Sequence, residues 1–156
     1  MLETVFVAPC DAPVEVAWDY FSDHRNAVKY MHGMVSYTPT GPLDKCAGAT
    51  FDGAMKLGPS TMKSTVETVT WEENSLAVYK STQGVNLTTT YRFRKVDDDR
   101  CEVEVEMFFE LPGGVAGRAM EKAIEPIVRS NANQTRDNMT RLVGEYHTEI
   151  KNSVQP

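Results

Sequence analysis

Two consecutive stretches of alternating residues constrain this chain more than any other feature. From Val85 to Arg94, the residues Val85, Leu87, Thr89, Tyr91 and Phe93 share one parity. From Cys101 to Glu110, the residues Cys101, Val103, Val105, Met107 and Phe109 do, while Glu102, Glu104, Glu106 and Glu110 take the other. A period of two sends successive side chains to opposite faces of a strand, so each stretch has an apolar face and a polar one. The run Asp97, Asp98, Asp99 between them reads as the turn of a hairpin. Consecutive strands with one wet face mark an antiparallel sheet covered on a single side, and the parallel, doubly wound class loses its support. Arg92 and Arg94 fall on the wet parity and are expected to face the glutamates as cross-strand ion pairs worth little each.

The remaining elements follow from their own periods. Leu2 to Ala8 is β-rich and ends at Pro9, and Asp11 with Pro13 predicts the capped start of a helix over about Pro13 to Phe21. Its apolar stripe is Val14, Ala17, Trp18 and Phe21. Ser22 and Asp23 are placed to cap a second short helix toward Tyr30. From Met34 the period changes to two, and turns at Pro39 to Pro42, Gly58-Pro59, Glu73-Asn74, Gln83-Gly84 and Asp97 to Asp99 divide the chain into six strands. The inward parity of Thr61 to Trp71 and of Leu76 to Thr82 stays open, because one bulge would exchange the faces; Lys80 is therefore not assigned to a site.

After Pro112-Gly113-Gly114 a helical stripe runs through Val115, Ala119, Met120, Ala123, Ile124, Ile127, Val128, Met139, Leu142, Val143 and Tyr146. A helix from about Val115 to Ile150 would span on the order of 50 Å. Pro126 inside it predicts a bend or break near Lys122 to Glu125. Within the stripe, Ser130 to Gln134 reads SNANQ, which either faces water or brings amides near a cavity.

Composition narrows the partners. The 156 residues carry a net charge of −6, with 16 basic residues scattered along the chain, which argues against binding to nucleic-acid phosphates. There is no run of the ~18 apolar residues that a membrane span needs, and the first residues lack the basic and apolar regions of a secretory signal. Cys10, Cys46 and Cys101 are odd in number, with no metal-ligand spacing and no obvious bridge, which suits a reducing compartment. The expectation is a cytoplasmic, single-domain protein over 1–156, with no nucleic acid partner and no stable membrane insertion, a monomer or weak homodimer. No metal and no cofactor are expected.

The order of strand, two short helices, six strands and one long helix predicts an α+β helix-grip fold. In it, a curved antiparallel seven-stranded sheet has two short helices after strand 1, and the long C-terminal helix packs across the concave face. The opening VFVAPCDAPVEVAWDYFSDHRN, the segment GATFDGAMKLG from Gly48, and the closing LPGGVAGRAMEKAIEPIV together resemble the START-like (SRPBCC) superfamily. That superfamily includes polyketide cyclase/dehydrase and lipid-transport proteins and the birch-pollen-allergen relatives. The resemblance covers essentially the whole chain and implies a carrier of a hydrophobic ligand, or a cyclase, aromatase or hydrolase.

A curved sheet and a long helix cannot close on each other everywhere, and the space left between them is the expected ligand site. The expected ligand-binding residues are Phe51, Met55, Leu87, Thr89, Tyr91, Val105, Met107 and Phe109 from the sheet, with Met120, Ile124, Ile127 and Val128 from the helix. The set is apolar with Thr89 and Tyr91 as polar points, which suits a hydrophobic small molecule such as a lipid, isoprenoid or polyketide-like compound. Eight methionines allow the walls to repack around different shapes. The same residues equally suit a filled core. His24, His32, Tyr30 and Asp23 could form an acid/base group at the cavity mouth, but Asp23 as a helix cap beside two solvent histidines explains them as well; no catalytic residue is assigned. Gly113, Gly114 and Gly117 open a helix without a dinucleotide fingerprint. An aromatase/cyclase using Tyr91, Thr89 or the Tyr30/His32 group, and an interaction module using an outward Phe108, remain the alternatives.

Overall fold

The computed structural model describes residues 1–154. Its elements are β1 (Leu2–Cys10), α1 (Val14–Phe21), α2 (His24–Tyr30), β2 (Met34–Pro39), β3 (Thr50–Leu57), β4 (Ser60–Glu72), β5 (Leu76–Gly84), β6 (Asn86–Lys95), β7 (Cys101–Glu110) and α3 (Gly114–Val154). The strands form one antiparallel sheet in the order β1-β7-β6-β5-β4-β3-β2, curled into a half-barrel, and this is the α+β helix-grip fold. Every strand from β2 to β7 pairs with its chain neighbour, through short turns except for the longer loop of residues 40–49 between β2 and β3. The strand β1 closes it by pairing with β7.

The hairpin that opened the sequence reading sets the register. Leu87 lies opposite Phe109, Thr89 opposite Met107, Tyr91 opposite Val105 and Phe93 opposite Val103, all on the concave side. On the convex side the Arg92 guanidinium donates to Glu104 at 3.1 Å and Glu106 at 2.9 Å, and Arg94 to Glu102 at 2.9 Å. Of the bulges left open in the sequence, one inserts Thr82 in β5, opposite the step from Thr65 to Val66, and the second inserts Val69 in β4, between Thr68 and Thr70. The second moves the inward position from Thr68, an even residue, to Trp71, an odd one. A third bulge, between Met34 and Ser36, turns both Met34 and Tyr37 inward and leaves Val35 exposed.

The two short helices seal one end. Trp18 of α1 makes edge contacts with Trp71 at 4.9 Å and Phe93 at 5.0 Å, which fastens the helix onto β4 and β6. The helix starts differently from the expectation: Pro13 is the N-cap, no side chain caps it, and Asp11 lies too far upstream to take part. The amides of Val16 and Ala17 both donate to the Pro13 carbonyl. The second helix is capped as expected, with the Asp23 carboxylate accepting from the Arg25 amide at 3.0 Å. Removing that cap by Asp23→Ala is expected to cost about 1 kcal/mol, read as a lower urea midpoint at unchanged slope.

The 41 residues of α3 form one helix that runs through Pro126 without a break. Pro126 and Lys122, whose carbonyl loses its partner, both lie on the solvent face, where water can satisfy that oxygen. The helix also turns a different face inward over its first turns. Val115, Ala119, Met120 and Ala123 are exposed, and Gly117 and Glu121 are buried in their place. A Cβ on Gly117 would come within 2.6 Å of the Pro112 carbonyl oxygen, so the close approach there requires glycine. Glu121 is held by Arg118 and by the terminal amine of Met1, which lets a carboxylate occupy the inner face.

Cys10 stands directly opposite Cys101 across β1 and β7, and both are buried free thiols. This juxtaposition of distant positions in the chain is what the spacing of the cysteines does not reveal. Among the described residues, no helix is long and apolar enough to cross a membrane.

Candidate functional site

The core is divided, and the division leaves a space. One cluster lies under α1 and α2 and includes Phe6, Trp18, Phe21, Tyr30, Val103, Val105, Met139 and Val143. A second lies toward the start of α3 and comprises Leu2, Leu57, Phe109, Leu111, Ile124 and Val128. Between them, under the middle of α3, is a cavity of about 140 Å³ whose wall draws on β1 to β7 and on all three helices. Of the twelve expected residues, Phe51, Met55, Leu87, Thr89, Tyr91, Met107, Phe109 and Val128 stand on this wall.

The other four do not. Val105 is completely buried in the first cluster, and Ile124 is buried in the second. Ile127 packs against the second cluster beside Gly58. Met120 is 45% exposed, because the inner face of that turn belongs to Glu121. The SNANQ segment is split between the two readings open to it: Asn131 and Ala132 reach the wall, while Ser130, Asn133 and Gln134 face water.

Several wall residues escaped the sequence reading. Five methionines stand there, Met31, Met34, Met55, Met62 and Met107, of which only two were expected. Tyr37 and Tyr79 complete an aromatic side. Tyr37 stacks on Phe51 with ring centres 4.8 Å apart, and Tyr79 meets Phe51 and Tyr91 edge-on at 6.4 and 6.0 Å. Tyr79 shares a parity with Ala77 and Ser81, and that alternation was the available signal; the bulged strand beside it obscured which face it named.

The polar groups of the wall are hydroxyls, a carboxamide and two histidines. No Asp, Glu, Lys or Arg is among them. Tyr30 donates to the Phe21 carbonyl at 3.2 Å, and its oxygen lies 3.1 Å from that of Tyr91. Burial pushes the Tyr91 phenol up to about 12 and that of Tyr30 well above its ordinary value. Tyr37 and Tyr79 are raised for the same reason. All four are therefore protonated at neutral pH, able to hydrogen-bond but poor proton acceptors.

The grouping of Asp23, His24, Tyr30 and His32 is dispersed. The Asp23 carboxylate is taken by the Arg25 amide and guanidinium, His24 faces Asp44 at 3.7 Å, and the exposed His32 is fixed through its backbone amide to the Thr135 hydroxyl. Phe108 is half-buried on the convex side, across from Glu3 and Thr88.

Residues 1–143 match the family model for polyketide cyclase / dehydrase and lipid transport. No curated protein matches the chain by sequence. Among solved structures, it is similar to Zhui aromatase/cyclase from Streptomyces sp. R1128, with a TM-score of 0.78 at 10% identity over 99% of each chain. A START superfamily protein from Mycobacterium smegmatis aligns with a TM-score of 0.68 at 11% identity, covering 95% of this chain and 98% of that one. Norcoclaurine synthase from Thalictrum flavum, solved with dopamine and hydroxybenzaldehyde, aligns with a TM-score of 0.64 at 15% identity, covering 92% and 87%. Likeness at such identities is likeness of fold.

Proposed function

Because this chain belongs to the polyketide cyclase / dehydrase and lipid transport family, we propose that it binds a hydrophobic small molecule in the cavity between the sheet and α3. The observation that carries the reading is the wall itself: apolar and aromatic, with a few hydroxyls and no ionised side chain of fixed charge. A protein of this size can fill its core, and a well-packed interior has few voids larger than a water molecule. An empty space of about 140 Å³ costs packing energy, which is recovered when a ligand fills it.

The cavity size bears on the ligand class. It is close to the roughly 150 Å³ of an apolar engineered cavity that stays dry and binds benzene. A single ring therefore fits as the walls stand, and a lipid, isoprenoid or multi-ring polyketide requires the methionines to move aside. Native mass spectrometry of protein purified from its source is expected to show a bound organic mass that acetonitrile releases. A spectrum of bare protein under every mild condition, together with no uptake of added hydrophobic compounds, would remove the reading.

The paired Tyr30 and Tyr91 hydroxyls favour a second reading, a polyketide aromatase/cyclase-type enzyme that uses pocket hydroxyls. Since these phenols stay protonated at neutral pH, their part would be to polarise a carbonyl once the Tyr30–Tyr91 bond is given up and the Tyr91 proton turns to the substrate, with the substrate's proton taken by another base. His24, with its side chain 17% exposed and on the wall, is the nearest histidine in kind.

A further inference from the structure

The hydroxyl pair at the cavity fixes which atom of a ligand can be received there. A phenol has one proton, and a carbonyl oxygen only accepts. With the Tyr30 proton on the Phe21 carbonyl at 3.2 Å, the 3.1 Å contact between the two phenol oxygens is made by the Tyr91 proton. Tyr91 has no other partner among the described residues, and it stands on the wall. What it offers to the cavity is a lone pair, not a proton. The Tyr37 and Tyr79 hydroxyls have no such chain behind them and can turn to suit either need, which leaves Tyr91 as the hydroxyl of set polarity.

Charge and size add two further limits. A carboxylate or ammonium ligand would leave water for a wall without Asp, Glu, Lys or Arg, and a buried charge without a partner is strongly disfavoured. The volume admits one ring. Phe51, Tyr37 and Tyr79 on the wall supply aromatic contacts for it.

The geometry points to a neutral single-ring aromatic compound bearing a hydroxyl, held with that hydroxyl donating to the Tyr91 oxygen. This inference rests on the reading of the cavity as a ligand site and specifies the chemistry of what enters it. Ethers, esters and ketones of the same size, which bring only acceptors, meet lone pair against lone pair at Tyr91 unless the Tyr30–Tyr91 bond is given up. Carboxylates such as fatty acids and benzoates are disfavoured, since His24 and His32 are the only wall side chains that can carry a positive charge.

Calorimetry or ligand-observed NMR with phenol, toluene, anisole and benzoate separates the parts. Toluene has the shape of phenol without its proton, so the ratio of the two affinities reports the hydroxyl alone. In Tyr91→Phe, phenol is expected to lose about tenfold relative to toluene, the range of one net neutral hydrogen bond. In Tyr30→Phe, the Tyr91 proton is freed, and anisole is expected to gain several-fold relative to toluene. Benzoate is expected to show no saturable binding to the wild type.

Parallel shifts of phenol and toluene in Tyr91→Phe, or no gain for anisole in a Tyr30→Phe protein with wild-type circular dichroism, would overturn the proposed polarity. If Tyr30→Phe does not fold, the wild-type comparison of anisole with toluene decides the polarity: anisole no tighter than toluene is expected, and anisole several-fold tighter would overturn it. Saturable benzoate binding would overturn the requirement for neutrality. If the wild type takes up toluene, the cavity reading stands whatever becomes of the polarity. If it takes up none of the four probes, the cavity reading falls first and this inference with it.

Discussion

Trp18→Ala is expected to cost about 3–5 kcal/mol, the range for removing a buried aromatic side chain from a packed core. The indole is 5% exposed and touches Trp71 and Phe93 edge-on, so it joins α1 to two strands that are not neighbours in the sheet. Each edge contact adds about 0.5–1.5 kcal/mol beyond the area it buries. The helix has eight residues and no side-chain cap, too short to persist without that anchorage. Its neighbour α2 depends on the same anchorage, because Tyr30 hydrogen-bonds to Phe21 at the end of α1. Chemical denaturation measures the effect directly. A loss under about 1 kcal/mol would mean that α1 is held chiefly by something other than Trp18.

Ala132→Phe is expected to abolish ligand binding while leaving stability within about 1 kcal/mol of wild type, or raising it. Ala132 is on the inner face of α3, one turn from Val128, and both stand on the cavity wall. Phenylalanine is accepted in a helix interior at little cost in propensity. In a filled core the added ring would be overpacked, at about 1–3 kcal/mol. In a cavity it replaces the missing neighbours of the wall atoms and so contributes contacts. The two quantities are read on one purified protein, by denaturation and by calorimetry with toluene. A substantial loss of stability together with unchanged toluene binding would place the ring in packed protein and the ligand elsewhere.

The parts of the fold legible in the sequence were those in which a single period and a single polarity coincide. β6 and β7 alternate without interruption, and a strand whose wet face is four glutamates can be placed only one way round. The middle of α3 was legible on the same ground, since Ile124, Val128, Met139 and Val143 are both apolar and in phase. The start of α3 was not. Hydrophobicity named Val115, Ala119 and Met120 for the inner face, but that turn passes so close to Pro112 that only Gly117 fits, and the inward carboxylate of Glu121 is compensated by groups distant in sequence. No residue-by-residue scale weighs a close backbone approach or a partner from another part of the chain.

The candidate site divides along the same line. The wall residues found in advance come from β3, β6, β7 and the in-phase part of α3. Among those missed, Met34, Tyr37, Met62 and Tyr79 come from β2, β4 and β5, the strands that carry the bulges. One inserted residue reverses the parity that any alternation argument depends on. Two of the strands disturbed in this way supply Tyr37 and Tyr79 to the aromatic side of the cavity, beside Phe51 and Tyr91 from β3 and β6, so half of that side was hidden in the residue pattern.

The central claim, that the space between the sheet and α3 is a binding site for a hydrophobic small molecule, is tested most directly by a crystal structure of the protein purified from its source. Continuous density that belongs to no side chain, bounded by Phe51, Leu87, Tyr91 and Val128, is the expected result. Side chains closed upon one another in that region, with Met55, Met62 and Met107 filling the space, would contradict it.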